Sequence, residues 1–176
     1  MITQSLFPTA VSFFKYEELT DKEKKVLVEQ DKRINEGNST SVNHYILKNE
    51  KLSKLKKFID ACLKEYLDTI YNPSKNVEVY VTQSWCNYTK ENEYHHSHTH
   101  PNSFISGVFY VQADRKKDKI YFSREKKNVI DLPPVNYNLF NSKNWWFETH
   151  TNDLILFPSH LEHMVSKVEG KERISL

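Results

Sequence analysis

The sequence has little glycine, few cysteines and no long apolar segment, and each shortage excludes a class of protein. Its 176 residues include only three glycines, so the glycine-rich phosphate loops of P-loop and Rossmann proteins are absent. The two cysteines, Cys62 and Cys86, lack CxxC spacing, which excludes a disulfide framework and a zinc ribbon. We therefore expect a reducing, cytoplasmic setting. No apolar run approaches the ~20 residues that span a bilayer, so we expect no membrane partner.

The charge is nearly balanced, which leaves the partner open. Lys and Arg number 25 against 23 acidic residues, a formal net charge of +2. No overall field would attract nucleic acid. A basic cluster between Arg115 and Lys127 keeps nucleic acid or an acidic substrate as a possibility without further support. The length predicts one domain, with a strand and helices over residues 1–75 and a core over residues 76–176.

The first part of the chain predicts one strand and two helices. An apolar, β-prone segment predicts an edge strand within Ser5–Phe14, since Pro8 disfavours a central position. A capping box at Thr20 begins a helix that we expect to continue to Asn35, followed by a loop over 38–43. Apolar residues at helical spacing between Lys51 and Tyr71 predict the second helix.

The second part of the chain predicts strands. Short apolar and aromatic segments alternate with polar ones from Val77 onward. We predict strands at VEVYVTQSWCNY, FISGVFYVQ, KIYFS, WWFE, DLILFP, HMVSKV and RISL. The fold class is therefore α+β, with N-terminal helices and a second half that closes into a sandwich or jelly roll.

A histidine cluster carries the strongest chemical signal. The segment YHHSHTHP places His96, His98 and His100 two residues apart, so neighbouring members can share one face of a strand and bind one metal ion. His95 is expected to point to the opposite face. Either HxH pair satisfies this spacing, and imidazole alone does not identify the metal.

The C-terminal segment can supply the remaining groups of such a site. His160 or His163 could provide a third ligand from another strand. Arg173 lies ten residues after His163, with Ser175 on the same strand face. A guanidinium and a hydroxyl suit the distal carboxylate of a dicarboxylic acid.

With these residues the chain resembles the Fe(II)- and 2-oxoglutarate-dependent oxygenases. It looks like a small phage and bacterial group related to prolyl hydroxylases. The resemblance covers most of residues 77–176. The segments that carry it are SWCNY at 84–88, HTHPNSFISGVFYV at 98–111, LFPSHLEHMV at 156–165 and RIS at 173–175.

The resemblance implies a double-stranded β-helix, or cupin-like jelly roll, and Fe(II), 2-oxoglutarate and O₂ as cofactor and cosubstrates. It implies His98, His100 and His163 as metal ligands, with His96 replacing His98 if the register differs by two residues. His100 stands where many relatives carry Asp, so this site is less negative than theirs. The implied 2-oxoglutarate residues are Arg173 and Ser175, with Tyr110, Asn87 and Tyr94 as candidates for the pocket wall.

The implied function is a dioxygenase that hydroxylates an unidentified substrate and releases succinate and CO₂. A protein or peptide side chain is favoured over small molecules and nucleobases. The alternatives are a three-histidine cupin that does not use 2-oxoglutarate, and a binding module without enzymatic activity. Related chains continue beyond the position of Leu176, which suggests a truncated C-terminus. Further expectations concern Trp85 as core, residues 131–144 as a lid, and Phe104, Phe109, Phe122 and Phe157 as cavity walls.

Overall fold

The computed structural model describes residues 1–124, 130 and 132–176. The described part contains two α-helices, α1 (Asp21–Val28) and α2 (Ser53–Tyr66), and a π-helical turn at Leu67–Tyr71 extends α2. Neither helix is long and apolar enough to cross a membrane. Two short 3₁₀ turns, Ile46–Lys48 and Glu50–Leu52, precede α2.

Eleven strands of the described residues form two antiparallel sheets. The larger sheet has the order β1-β9-β6-β11-β4-β3-β2, and the smaller has the order β5-β10-β7-β8. The strands are β1 (Ser12–Lys15), β2 (Lys32–Asn35), β3 (Asn38–Ser41), β4 (Asn87–Lys90), β5 (His95–His98), β6 (Ile105–Gln112), β7 (Lys119–Ser123), β8 (Asn144–Glu148), β9 (Asp153–Pro158), β10 (His163–Val165) and β11 (Glu172–Ser175).

The larger sheet is buried on both faces around β9, as the alternation of side chains along that strand shows. Leu154 and Leu156 pack against Leu55 and Ile59 of α2 in a hydrophobic cluster that we call the helix-side cluster. Their neighbours along the strand point the other way, because successive strand side chains alternate. That second face forms the inter-sheet cluster, which consists of Tyr110 and Phe157 with Ile120, Phe122 and Ile155.

The first helix is shorter than the sequence predicts. The predicted capping box is confirmed: Thr20 Oγ1 accepts from the amide of Glu23, and the Glu23 carboxylate accepts from the amide of Thr20. The predictions of helix to Asn35 and of a loop over 38–43 are wrong, because β2 and β3 form a hairpin there. Gly37, with φ +82°, makes its turn. Pairing of β3 with β4 outweighs the local preference for helix.

Two strand predictions also need correction. The opening strand lies at the sheet edge as predicted, but it covers Ser12–Lys15 rather than 5–14. Residues 77–83 form no strand, and only Ser84 makes an isolated bridge, to Tyr45. Val79 and Val81 pack against the helix-side cluster instead. The apolar residues of this segment therefore contribute to the core although the segment pairs with no neighbouring strand. The remaining predicted strands are present.

Candidate metal centre

Three histidines meet where the smaller sheet joins its neighbouring loops. His98 ends β5, His100 follows two residues later, and His163 begins β10. β5 and β10 pair antiparallel with His98 directly opposite His163. The Nε2 atoms of His98 and His100 lie 3.1 Å apart. One ring nitrogen from each of the three lies within 4.8 Å of the others, which is a spacing that one metal ion can bridge.

Backbone carbonyls orient two of these rings. Nδ1 of His98 donates to the carbonyl of His96 at 2.8 Å, and Nδ1 of His163 donates to the carbonyl of Leu161 at 3.0 Å. In a neutral imidazole, the nitrogen that does not carry the proton keeps its lone pair. Both rings therefore present Nε2 as the ligand atom, in the arrangement that metal-binding histidines commonly have.

A pair of serines orients the third ring. Nδ1 of His100 lies 2.7 Å from Oγ of Ser106, which is 2.8 Å from Oγ of Ser159. The His100 amide also donates to the Ser159 carbonyl at 3.0 Å. Both serines are buried. This pair fixes the His100 ring and leaves its Nε2 toward His98.

Burial keeps the ligand histidines uncharged. It lowers the pKa of His163 to about 3 and that of His100 to about 4, and the repulsion that either ring would meet from His98 if both were protonated adds to the effect. Burial likewise lowers the pKa of His98. Neutral imidazoles bind metal, whereas imidazolium does not. Three such donors fit Fe(II), for which the family resemblance implies a site here.

His95 does not point away from the site as strand alternation predicts. Its ring stacks on that of His98 with centroids 4.5 Å apart, and both line the same cavity. The pairing of His98 with His163 and of His95 with Val165 leaves one extra residue on β5. This bulge rotates part of the strand and places His95 beside the metal ligands. His96 stays more peripheral and contacts the carbonyl of Glu36 at 3.5 Å.

A cavity of about 750 Å³ connects the histidines with the last strand. We call it the metal cavity. Its lining includes all three candidate ligands together with Arg173 and Ser175. Asn87 of β4 also lines it. The structure therefore places the candidate ligands and most of the candidate 2-oxoglutarate residues around one space.

The candidate 2-oxoglutarate residues form a row across three strands. Tyr110 pairs with Ser175, and Ser175 pairs with Asn87, so the three share one face of the larger sheet. Arg173 lies two residues from Ser175 on that face, with its guanidinium carbon 5.5 Å from the Tyr110 ring centre. Tyr110 is fully buried within the inter-sheet cluster and does not line the metal cavity.

Arg173 is the unusual member of this row. Its side chain is only 2% exposed, and its Nε and Nη1 atoms have no hydrogen-bond partner among the described residues. The Tyr110 hydroxyl and the Asn87 side-chain oxygen also lack partners within that part of the chain. A buried cation without hydrogen bonds is energetically costly. A carboxylate is the group that would satisfy a guanidinium fork here.

Three neighbours of the site were missed by the sequence analysis. Trp85 was expected in the core, but it is half-buried and packs 5.5 Å from the His100 ring. Buried Asp118 interacts electrostatically with Arg173, and burial raises its pKa. His95 is the third. In the sequence, only the SWCNY segment around Trp85 indicated a residue near the site. The positions of Asp118 and His95 depend on tertiary contacts and on strand register.

The remaining candidate residues have different positions. Tyr94 is 39% exposed and packs over Gly37 rather than lining the metal cavity. The predicted lid includes Asp131, and the basic cluster includes residues 126–127; these lie outside the described residues. Of the four phenylalanines, Phe104 and Phe109 line the metal cavity, whereas Phe122 and Phe157 pack against His163.

Separate replacement of His98 and of His96 distinguishes the two possible registers of the metal-binding HxH pair. We expect His98→Ala to lose high-affinity metal binding, because its Nε2 points at the two other ligands. His96→Ala is expected to keep it, since the His96 ring packs 5.0 Å from that of His98 but belongs to a second histidine group, with His95 and His98, that does not include His100 or His163. Equilibrium dialysis of both variants with Fe(II) under anaerobic conditions measures the difference. Equal affinities, or loss in His96→Ala alone, would contradict this register.

The metal-free protein is expected to lose stability below about pH 6.5. Burial lowers the pKa of both His95 and His163 to about 3, so the unfolded chain takes up protons that the folded chain does not. Stability is then fully present above pH 6.5 and decreases down to about pH 3, by on the order of 1.4 kcal/mol per pH unit for each histidine. Urea midpoints measured from pH 7 to pH 5 test this, and a constant midpoint would contradict it.

Comparison with known proteins identifies the class. A family model described as "Putative 2OG-Fe(II) oxygenase" matches residues 83–176. No curated protein matches the chain. A solved oxidoreductase of the 2OG-Fe(II) oxygenase family from Burkholderia pseudomallei has a TM-score of 0.64 at 11% identity, covering 94% of this chain and 81% of that one. A prolyl-4-hydroxylase from Pseudomonas putida has a TM-score of 0.59 at 10% identity, covering 95% and 89%.

The two solved structures share the mostly antiparallel β fold with this chain, and at these identities they indicate the fold alone. The family model matches more than half of the chain and includes the histidines and the Arg173 strand. The chain therefore belongs to the 2OG-Fe(II) oxygenase family and is an oxygenase that uses Fe(II), 2-oxoglutarate and O₂.

Proposed function

We propose that this protein hydroxylates a C–H bond of a protein or peptide side chain and converts 2-oxoglutarate and O₂ to succinate and CO₂. The observation that carries the proposal is the buried guanidinium of Arg173, whose Nε and Nη1 have no hydrogen-bond partner among the described residues, in the cavity of three neutral histidines. A metal site alone suits many activities, whereas a metal site with a buried cation suits a metal-chelating dicarboxylate. The preference for a polypeptide substrate is supported by the fold shared with the prolyl-4-hydroxylase.

We further propose that the two sheets form the double-stranded β-helix of this superfamily, with the N-terminal helices packed on its outside. The inter-sheet cluster and the helix-side cluster on opposite faces of β6 and β9 support this arrangement. The whole chain would then act as one domain, because residues before 76 contribute β1, β2 and β3 to the same sheet.

In this mechanism His98, His100 and His163 hold Fe(II) through Nε2. When bound, the iron supplies the oxidation of a C–H bond to an alcohol with 2-oxoglutarate and O₂ as co-reactants. Three neutral ligands leave the positive charge of the ion uncompensated by the protein. That charge would favour a chelating carboxylate at one end of the cosubstrate, while the donors of β11 would bind the distal carboxylate at its other end.

Arg173, Ser175 and Asn87 bind and orient the distal carboxylate of the cosubstrate. The guanidinium offers two parallel N–H donors, and the hydroxyl and amide lie on adjacent strands of the same face. Tyr110 packs against Arg173 from the inter-sheet cluster, with its ring centre 5.5 Å from the guanidinium carbon. Phe157 packs 4.7 Å from the His163 ring and excludes water from that side.

One proposal, about the setting of the protein, remains from the sequence. We propose a cytoplasmic location, which is supported by two free, buried cysteines, Cys62 and Cys86. Nucleic acid is only an unsupported alternative partner, and we do not propose it.

An anaerobic titration tests the proposed chemistry. The apoprotein is mixed with Fe(II) and then with 2-oxoglutarate, and the visible charge-transfer band of the chelated oxo-acid is recorded. We expect the band to form, and to disappear with succinate release when O₂ is admitted. Metal binding without the band would favour a three-histidine protein that does not use 2-oxoglutarate. Absence of metal binding would favour a binding module.

The substrate class is tested by mass spectrometry. Fe(II)-loaded protein is incubated with peptide digests of a cell extract, 2-oxoglutarate and ¹⁸O₂. We expect peptides that gain one ¹⁸O atom with wild-type protein and not with His163→Ala. Labelled small molecules without labelled peptides would contradict a polypeptide substrate.

A further inference from the structure

A second cavity of about 210 Å³ adjoins the metal centre on the side of the β2–β3 hairpin. We call it the hairpin cavity. The hairpin contributes Arg33, Asn35 and Thr40, and the histidines of β5 form the wall toward the metal. His44 and Trp85 complete the outer wall. None of the proposed 2-oxoglutarate contacts except Asn87 borders this space.

Strand register links the hairpin cavity to the cosubstrate row. Arg33 pairs with Thr40, Thr40 pairs with Asn87, and Asn87 pairs with Ser175. Paired residues share one sheet face, so Arg33 stands on the face that carries Arg173. Three strand steps of ~4.8 Å place its backbone roughly 14 Å from that of Ser175. An anion at Arg33 is therefore distinct from the carboxylate that Arg173 would bind.

The charges around the hairpin cavity are of one sign. Arg33 is its one permanently charged residue among the described residues, and no Asp or Glu of that part of the chain lines the space. The described contact of the guanidinium is with His44, to whose Nε2 the Arg33 Nη2 donates at 3.0 Å. This leaves most of the five guanidinium N–H groups available to an oxygen acceptor.

Trp85 forms an apolar wall of the hairpin cavity between His44 and the candidate metal ligand His100. Its ring lies 5.8 Å from the His44 ring on one side and 5.5 Å from the His100 ring on the other. A group held at Arg33 can therefore rest against the indole while its far end reaches the histidine triad. Aromatic walls with a few placed polar groups are typical of small-molecule sites.

We propose that the hairpin cavity binds the substrate and that Arg33 recognises a carboxylate of it. This inference rests on the proposed hydroxylase function and adds the substrate class: an acid whose apolar part packs on Trp85 and presents its C–H bond to the metal centre. The volume of 210 Å³ is below the roughly 300–1,000 Å³ of drug-sized ligand sites, so the bound part is small. In a polypeptide it would be an acidic side chain or carboxyl terminus, and otherwise a small carboxylic acid.

The test uses two probes that differ only in the anionic group. Binding of 4-fluorophenylacetate and of 4-fluorophenylacetamide is measured by ¹⁹F NMR. The protein is loaded with Zn(II), which is redox-inert, and saturated with 2-oxoglutarate so that Arg173 is occupied. We expect the acid to bind at least tenfold more tightly than the amide. Arg33→Gln is expected to remove this preference, and Arg33→Lys to keep part of it.

Controls separate the site from general charge and from misfolding. Arg115→Gln removes an exposed arginine that borders neither cavity, and it is expected to leave the preference unchanged. Thermal unfolding of Arg33→Gln should match that of wild type, because the replaced side chain is exposed. Equal binding of acid and amide, no binding of the acid at millimolar concentration, or a preference that survives in Arg33→Gln would overturn the proposal.

A second pair of probes distinguishes the source of the carboxylate. Acetyl-Ala-Asp-Ala-amide is compared with its Asn counterpart by saturation-transfer NMR. An Arg33-dependent preference for the Asp peptide supports a polypeptide substrate, and such a preference for the fluorinated acid alone supports a small acid. Both comparisons, that of the fluorinated probes and that of the peptides, are repeated without metal and without 2-oxoglutarate. The anion site can then be tested even if no charge-transfer band forms and the proposed function is wrong.

Discussion

Loss of metal binding and of succinate formation is the expected result of His163→Ala. His163 begins β10 and lies opposite His98. Its ring supplies one of the three ligand atoms, from a strand distant in sequence from the other two ligands. Metal at 100 times its dissociation constant stabilises a protein by about 2.7 kcal/mol. For a chain of this size that corresponds to a rise in Tm of about 5–11 °C. We expect that rise in wild type and none in the variant, measured by calorimetry with Mn(II) or Zn(II).

His160→Ala is the matched control. His160 lies three residues before His163 and is exposed, and the sequence alone left either of them as the third ligand. We expect this variant to keep the metal-induced rise in Tm. Retention in His163→Ala, or loss in both variants, would show that the third ligand lies elsewhere.

Weaker 2-oxoglutarate binding by roughly 30- to 1,000-fold is the expected result of Arg173→Met. The substitution keeps an unbranched side chain of similar length but removes a buried guanidinium whose Nε and Nη1 have no other partner among the described residues. A hydrogen bond to a charged group contributes about 1.5–3 kcal/mol, and because the two bonds of a fork are not fully additive, loss of the fork amounts to roughly 2–4 kcal/mol. The charge-transfer band of the anaerobic Fe(II) complex, titrated with 2-oxoglutarate, gives the dissociation constant.

Metal binding by Arg173→Met should stay close to wild type, because no described atom of Arg173 contacts the triad. Ser175→Ala is the graded comparison: it removes one neutral hydrogen bond, so we expect a loss of about 0.5–1.5 kcal/mol. Wild-type affinity for 2-oxoglutarate in Arg173→Met would remove the cosubstrate assignment. Equal losses in both variants would show that the charge of Arg173 is not what binds the cosubstrate.

Local sequence patterns were sufficient for α2, for the start of α1 and for most strands. The stripe of Leu55, Ile59 and Leu63 predicts α2, and the Thr20 box predicts the start of α1, because both depend on neighbours within one or two turns. The hairpin over 32–41 could not be predicted this way. Its polar residues form strands because β4 offers unpaired backbone groups to β3, and that contact joins residues nearly fifty positions apart.

The same division applies to the candidate site. Spacing left either HxH pair open, and the family resemblance implied His98 with His100. Spacing along the last strand suggested Arg173 with Ser175. What the sequence could not show was the bulge in β5, which places His95 beside the ligands. The position of Arg33 was equally hidden, since it depends on the register of three successive strand pairings, β2–β3, β3–β4 and β4–β11.

The position of β11 has a consequence for how the chain folds. This strand lies between β4 and β6, although it begins 60 positions after the end of β6 and 82 positions after the end of β4. During synthesis β4 and β6 emerge with a gap between them, and neither can complete its hydrogen bonds until residues 172–175 arrive. Folding is then governed by distant pairings and is slow compared with that of helical proteins. Because β11 also carries Arg173, the sheet and the cosubstrate pocket are completed in the same step.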